Sequence, residues 1–213
     1  MNKITEAKSI ICPVSEKSNR AILFFSCGKD SLALLDLMRP YFEEIVCVFM
    51  YFVKDLEHIN KYLRWAKAKY NITIEQVPHW NLTYILRNGI FCPPKPKIKL
   101  LTLKDIDNAV RIKYGINYSF FGMKKADGMN RRLMLNTYEN GISSTNKVYP
   151  LQDWANKDVI NYCTTSQFQI QFDTQKMLPV DVVLILNVFC ICEKTTRMIC
   201  IKFYNHFLYQ KKF

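Results

Sequence analysis

A chain of 213 residues with 49% hydrophobic and 14% aromatic content can bury one sizeable core, and a single α/β domain is the expected size class. It contains no run of about 18 apolar residues, which excludes a membrane-spanning helix, and Met1–Glu6 lacks the apolar core of a secretion signal. A cytoplasmic location is therefore expected, with the eight cysteines as reduced thiols and, lacking any Cys-x-x-Cys pair, little support for a zinc or iron–sulfur site; the net charge of +12 favours polyanionic ligands, a nucleotide first and a nucleic acid second.

Residues 1–20 are polar and read as an N-terminal arm or lead-in helix. Ala21–Phe25 is an apolar run that predicts the first strand; Leu32, Leu35 and Met38 then mark one helix face, with Pro40 at its exit. Ile45–Phe52 is apolar throughout, as in a strand buried on both faces of a parallel sheet. Leu56, Ile59, Leu63, Ala66 and Tyr70 recur at helical spacing and predict a helix over 55–69. Ile72–Val77 predicts a third strand. Strand and helix alternating three times before residue 80 imply a doubly wound, mostly parallel sheet of Rossmann-like type. In such a sheet the ligand lies beyond the carboxyl ends of the strands, so the loops after strands one, two and four are expected to converge on one pocket.

Further along, 81–88 predicts a short helix, and the prolines of 91–97 exclude helix or central strand, leaving a loop expected over the pocket. Residues 103–114 predict another helix and Tyr118–Phe121 a strand. Residues 124–147 are polar and basic, carry Gly128 and Gly141, and read as one long functional loop.

The most informative local feature is Ser26-Cys27-Gly28-Lys29-Asp30-Ser31, between the first strand and its helix. A loop of small residues entering a helix N-terminus aims backbone N–H groups and the positive end of the helix dipole at one place, which suits phosphate. It lacks the Gly-Lys-[Ser/Thr] ending of a Walker A loop. An ordinary strand–turn–helix with a polar cap fits the same six residues.

These residues resemble the pyrophosphate-binding loop (PP-loop), Ser-Gly-Gly-x-Asp-Ser, of the adenine nucleotide alpha hydrolase-like superfamily, with Cys27 where the first glycine stands. Gly122–Arg131 is similar to the Gly-x-Arg-x-x-Glu-Ser-x-x-Arg segment of the phosphoadenosine phosphosulfate (PAPS) reductase and ATP sulfurylase branch. Lys124 replaces the first Arg, Asp127 the Glu and Gly128 the Ser, and Arg131 is retained. Pro150-Leu151-Gln152-Asp153-Trp154 through Asp158-Val159 resembles that branch's Pro-Leu-x-Asp-Trp-x-x-x-Asp-Val. The resemblance covers residues 18–162 and is closest to phage and bacterial members of the PAPS reductase family.

It implies an adenine nucleotide-like fold with a PAPS or ATP site built from Ser26, Cys27, Gly28, Lys29, Asp30, Ser31, Gly122, Lys124, Asp127 and Arg131. Lys125 and Arg132 extend the basic cluster. Asp30 either holds Mg²⁺ alongside ATP or serves the helix start; both readings stay open. Asp127 is expected to orient Arg131 or to bind a ribose hydroxyl. Trp154 and Pro150 read as packing residues, His79 as structural, and Cys27 as a small loop filler despite its place at a helix N-terminus. A reductase would draw electrons from thioredoxin or glutaredoxin, attack with a cysteine on a C-terminal segment, and need no catalytic metal; a homodimer is compatible. The alternatives are an Mg-ATP-dependent pyrophosphatase that adenylates a tRNA, a DNA base or a small acceptor, and a nucleotide-binding module without catalysis.

After Cys163 the resemblance stops. Joining the third base of each codon to the first two of the next permits, from Gln167 onward, a coherent sequence with a glycine-rich turn and a helical repeat that resembles the ending of these family members. This implies a frameshift near codon 163; the alternative is a divergent tail in which Val180–Cys192 forms a buried strand. Residues 163–213 are therefore set apart from the domain at 21–162, and those from Thr164 onward receive no functional role.

Overall fold

A computed structural model describes residues 2–90 and 92–166; the expectations for the tail from Gln167 onward lie outside the described residues. The elements, in chain order, are α1 (Lys3–Ser15), β1 (Arg20–Phe24), α2 (Lys29–Met38), β2 (Glu44–Tyr51), α3 (Glu57–Tyr70), β3 (Thr73–Pro78), α4 (Leu82–Asn88), α5 (Leu103–Tyr114), β4 (Ser119–Phe121), α6 (Met129–Asn136), β5 (Lys147–Val148) and α7 (Asn156–Thr165). A 3₁₀ turn, Lys125–Asp127, precedes α6. The strands form one five-stranded sheet in the order β3-β2-β1-β4-β5, flanked by helices. β1 pairs in parallel with β2 (Leu23 opposite Cys47) and with β4 (Phe24 opposite Phe121), and β4 with β5 (Phe120 opposite Val148). This is the expected α/β, Rossmann-like architecture.

By their contacts the described residues fall into two compact units. The first holds the chain up to Phe49, His58–Gln76 and everything described from Asp107 on; the second holds Met50–Glu57 and the described part of Val77–Ile106.

In the first unit β1 and β2 are apolar along almost their whole length because both their faces are covered: Ile22, Leu23, Val46 and Cys47 are fully buried. α2 is buried nearly all round, with Leu32, Leu34, Leu35 and Met38 in the core, and packs against both α1 and α7. Of the arm or lead-in helix expected here, the structure has a packed helix. Asn2 caps α1 by accepting from the Ile4 N–H, and Ala7, Ile10, Ile11 and Val14 form its buried stripe. At the amino end of β4 a polar cluster is sealed in the core. The carboxylate of Asp107 (1% exposed) accepts from Ser119 Oγ and from Arg111 Nε at 3.0 Å, while Arg111 also donates to the carbonyls of Thr145 and Asn146.

The single long loop expected over 124–147 is corrected by the structure. It contains the 3₁₀ turn, the eight-residue α6 and two isolated bridges, Glu139 with Ile142 and Ile142 with Val148. Gly128 (φ 150°) separates turn from helix, and Gly141 (φ 68°) turns the chain into the bridges. Only Leu135 of α6 is buried, so the segment carries little of the apolar periodicity by which a helix is recognised.

In the second unit Tyr51 at the end of β2 accepts from the His79 N–H, and His79 stacks on Phe52 at 4.3 Å and accepts at Nδ1 from the Asn81 N–H. The expected structural role of His79 matches these contacts. α4 ends on Gly89 (φ 70°), and the segment 92–102 is irregular, as its prolines require.

Candidate functional site

β1 has β2 on one side and β4 on the other, so the strand order reverses between β1 and β4. The carboxyl ends of two strands separated by such a reversal leave a crevice between the loops that follow them. The loop Phe25–Gly28 and the start of α2 follow β1; Gly122–Gly128 follows β4. All ten candidate site residues lie on these two segments and on the first turn of α6, within the first unit.

The β1–α2 loop is tightly turned. Gly28 is the N-cap residue of α2 and has no side chain to cap it, so the first N–H groups of α2 have no partner within the helix. Ser26 is exposed, and its hydroxyl lies 3.3 Å from that of buried Ser31, which donates to the Gly28 carbonyl at 2.9 Å. The Gly28 N–H points back to Ser26 Oγ at 3.4 Å. Two hydroxyls and a helix start thus face one small space. Cys27, where the motif has glycine, adopts φ 61°, so a left-handed turn is made here by a residue with a side chain. That side chain is 7% exposed, and burial pushes its thiol up to about 12. Burial thus works against the thiolate form at neutral pH.

The two segments meet through charge. Lys124 is fully buried, and its ammonium lies 2.6 Å from Asp30 Oδ1 and 3.0 Å from Asp127 Oδ1. The other Asp30 oxygen takes Lys29 Nζ at 3.0 Å; the other Asp127 oxygen takes Arg131 at 2.8 Å and the Lys124 backbone N–H at 2.9 Å. The result is an alternating chain, Lys29–Asp30–Lys124–Asp127–Arg131, that begins in the β1 loop and ends on α6. Burial opposes the charge on Asp127, but the hydrogen bonds from Lys124 and Arg131 outweigh it and hold its carboxyl below the usual range. Asp127 thus pairs with Arg131 one helical turn further on. Gly122 is there for proximity: a Cβ would come within 3.3 Å of the Asp30 carbonyl carbon.

Lys124 and Lys125 are not solvated charges. Lys125 pairs with Asp153 at 2.8 Å, and its backbone N–H donates to the Gln152 carbonyl. Lys29 and Lys125, each with a side chain 27% exposed, Arg131, at 49%, and exposed Arg132 remain partly open. Sequence reasoning missed Asn156, the first residue of α7, whose Oδ1 accepts from Lys29 Nζ at 3.3 Å. The signal was the Pro150–Val159 segment, which brings α7 alongside α2: Cys163 Sγ lies 3.8 Å from the Lys29 carbonyl. Trp154 (2% exposed) and Pro150 are buried packing residues, as expected. The described residues include no helix long and apolar enough to cross a membrane.

The sequence matches no family model and no curated protein. Solved structures do resemble the fold. The U34-tRNA thiolase NcsA from Methanococcus maripaludis, solved with its [4Fe-4S] cluster, superposes with a TM-score of 0.54 at 12% identity, over 97% of this chain and 78% of the thiolase. An NH3-dependent NAD synthetase from Campylobacter jejuni reaches 0.50 at 15% identity, over 93% and 88%. The phosphoadenylyl-sulfate (PAPS) reductase from Candida auris, in a phosphate complex, gives 0.47 at 13% identity, over 78% and 80%. At these identities the thiolase and the synthetase establish what this chain shares with them: a parallel α/β sheet of Rossmann-like form.

Proposed function

We propose that this protein binds an adenine nucleotide through the β1–α2 loop and that the ligand is an adenylyl sulfonucleotide, PAPS, as in the reductase family its motifs resemble. The observation that carries this reading is the state of Asp30. Its two oxygens are each held by an ammonium group, Lys124 on one and Lys29 on the other. A carboxylate so occupied does not fit a Mg²⁺ site, because a divalent ion placed there would meet two cations at contact distance. The cluster offers three cations against two carboxylates, beside the open start of α2. That field accepts an anion directly, without a metal to neutralise it.

In this site the N–H groups of Lys29 and Asp30 and the hydroxyls of Ser26 and Ser31 would receive phosphate or sulfate oxygens. Arg131 would swing onto the same anion and Lys29 would face it while still paired with Asp30, and Lys124 stays in place as the buried link that holds the two loops together. Reduction of the bound sulfonucleotide would need a thiolate. Neither thiol beside the site supplies one: burial raises Cys27 to about 12, and burial together with the charge of Asp30 raises Cys163 to about 11. The attacking cysteine of the family belongs to a C-terminal segment, here outside the described residues, and thioredoxin or glutaredoxin would be its reductant.

A second reading keeps the same loop but takes ATP. It is favoured by the fold likeness to a synthetase and a thiolase, and it would make the protein an adenylating enzyme. Calorimetric titration with PAPS and with ATP, each with and without Mg²⁺, separates the two. PAPS is expected to bind without metal, and Arg131→Ala to weaken it roughly tenfold or more, as for a lost charge-assisted hydrogen bond. Binding of ATP alone, and only with Mg²⁺, would overturn the sulfonucleotide reading. Indifference of both ligands to Asp30→Ala and Arg131→Ala would overturn the site.

A further inference from the structure

In the first unit several basic residues have acidic partners: Arg20 pairs with Glu44, Lys113 with Glu75, and Arg111 with Asp107. The second unit holds a segment poor in acids. Between residues 77 and 106 there are five cations, Arg87, Lys95, Lys97, Lys99 and Lys104, and one acid, Asp105. All five cations are exposed, and none forms an ion pair among the described residues. Asp105 caps the start of α5, one of its oxygens accepting from both the N–H and the hydroxyl of Thr102 at 2.7 Å, and a single carboxylate offsets only part of the five positive charges.

The scaffold under these charges is built. Buried Thr83 donates to the Trp80 carbonyl and accepts from the Leu101 N–H at 3.0 Å, tying the segment to α4. The Lys95 N–H donates to the Leu86 carbonyl at 2.9 Å, and Ile98 closes a turn onto Lys95. Gly89 is required, since a Cβ there would meet Pro94 at 2.9 Å. Tyr84 on α4 is 50% exposed and Leu100 41%. Five exposed cations without an ion pair among the described residues, on a backbone pinned by prolines and hydrogen bonds, repel one another and favour a polyanion as partner.

We propose that this segment, with exposed Arg87, Lys95, Lys97, Lys99 and Lys104 and exposed Tyr84 on α4, binds a single-stranded nucleic acid. The cations take the phosphates, and Tyr84 offers a flat apolar surface for a base to stack on. A single strand is the occupant that uses both features, since its bases are free to leave the stack and its backbone presents one charge per nucleotide. The proposal does not depend on which nucleotide occupies the β1–α2 loop.

The test is fluorescence anisotropy of a labelled twenty-nucleotide oligo-uridylate with the full chain over a salt series. Five phosphate contacts predict a log–log slope near about −3.5, and neutralising three of them in Lys95→Gln/Lys97→Gln/Lys99→Gln reduces its magnitude by about 2. Tyr84→Ala is expected to weaken binding roughly fivefold or more at constant slope, as for loss of one stacked base. Nucleotide titration of the triple variant is the folding control and should be unchanged. An unchanged salt slope in the triple variant refutes the site. Absence of oligonucleotide binding at low salt also refutes it, as does binding only to vesicles containing anionic lipid.

Discussion

Lys124→Met removes the one group that joins the loop after β1 to the segment after β4. The ammonium is fully buried and lies 2.6 and 3.0 Å from two carboxylates. At an effective dielectric of about 20 those distances correspond to roughly 12 kcal/mol of gross attraction, most of it offset by the cost of taking the three charges out of water. Breaking a buried pair by removing one partner costs about 3–5 kcal/mol. Here Asp30 keeps Lys29 and Asp127 keeps Arg131, so the lower end, about 3 kcal/mol, is expected. In urea this lowers the unfolding midpoint by roughly 1–2 M at unchanged slope. Because the loops also lose their registration, nucleotide affinity should fall in the variant under conditions where it remains folded. Adding Asp127→Asn to Lys124→Met should cost less than the two single effects combined, since the second change removes a charge that the first left uncompensated. A midpoint shift below about 0.3 M with nucleotide binding intact would refute the view that this lysine is a buried strut.

Gly122→Ala should weaken nucleotide binding more than stability, because the added methyl presses on the backbone of Asp30 at the start of α2; titration calorimetry and urea melts on one preparation compare the two losses. Cys27→Gly is expected to change stability by no more than about 1 kcal/mol, since relief of the left-handed backbone offsets the greater freedom of glycine in the unfolded chain, and wild-type Cys27 should resist alkylation at pH 7. Asp107→Ala takes the carboxylate from Arg111 and Ser119, which keep each other and the Thr145 and Asn146 carbonyls, and should cost about 3 kcal/mol by urea unfolding, with nucleotide affinity unaffected in the folded protein. The carboxyl of Asp127 is lowered in the fold, so its contribution is fully present above the unfolded value of about 3.9 and is lost as pH falls through the folded value. Urea midpoints between pH 6 and pH 3 should therefore fall less steeply in Asp127→Asn than in the wild type, and parallel curves would contradict the assignment.

Much of this fold is legible in one dimension because burial on both faces of a parallel sheet requires unbroken apolar runs. β1 and β2 are such runs, and α3 and α5 show a helical period against a polar exterior. The β1–α2 loop is equally local: small residues between a strand and a helix make a turn whose geometry six positions determine. The short α6 is not legible because a helix with one buried residue has no period to read, and α1 reads as polar because its four buried residues are diluted by lysine, glutamate and serine.

What only the tertiary structure decided is the company each charge keeps. Lys124 stands in a basic stretch and reads as solvated or as a ligand contact, yet its closest partner, Asp30, is 94 residues away in the chain. That distance closes because strand order places β4 directly beside β1, which no local pattern encodes. The same placement engages both oxygens of Asp30, sets Gly122 against its backbone and brings Asn156 to Lys29. Sequence alone points to where the proposed anion would be met, since loop and helix dipole are properties of adjacent residues. The pairing of charges around that place is a property of the folded sheet, because Coulomb energy depends on separation in space and not along the chain.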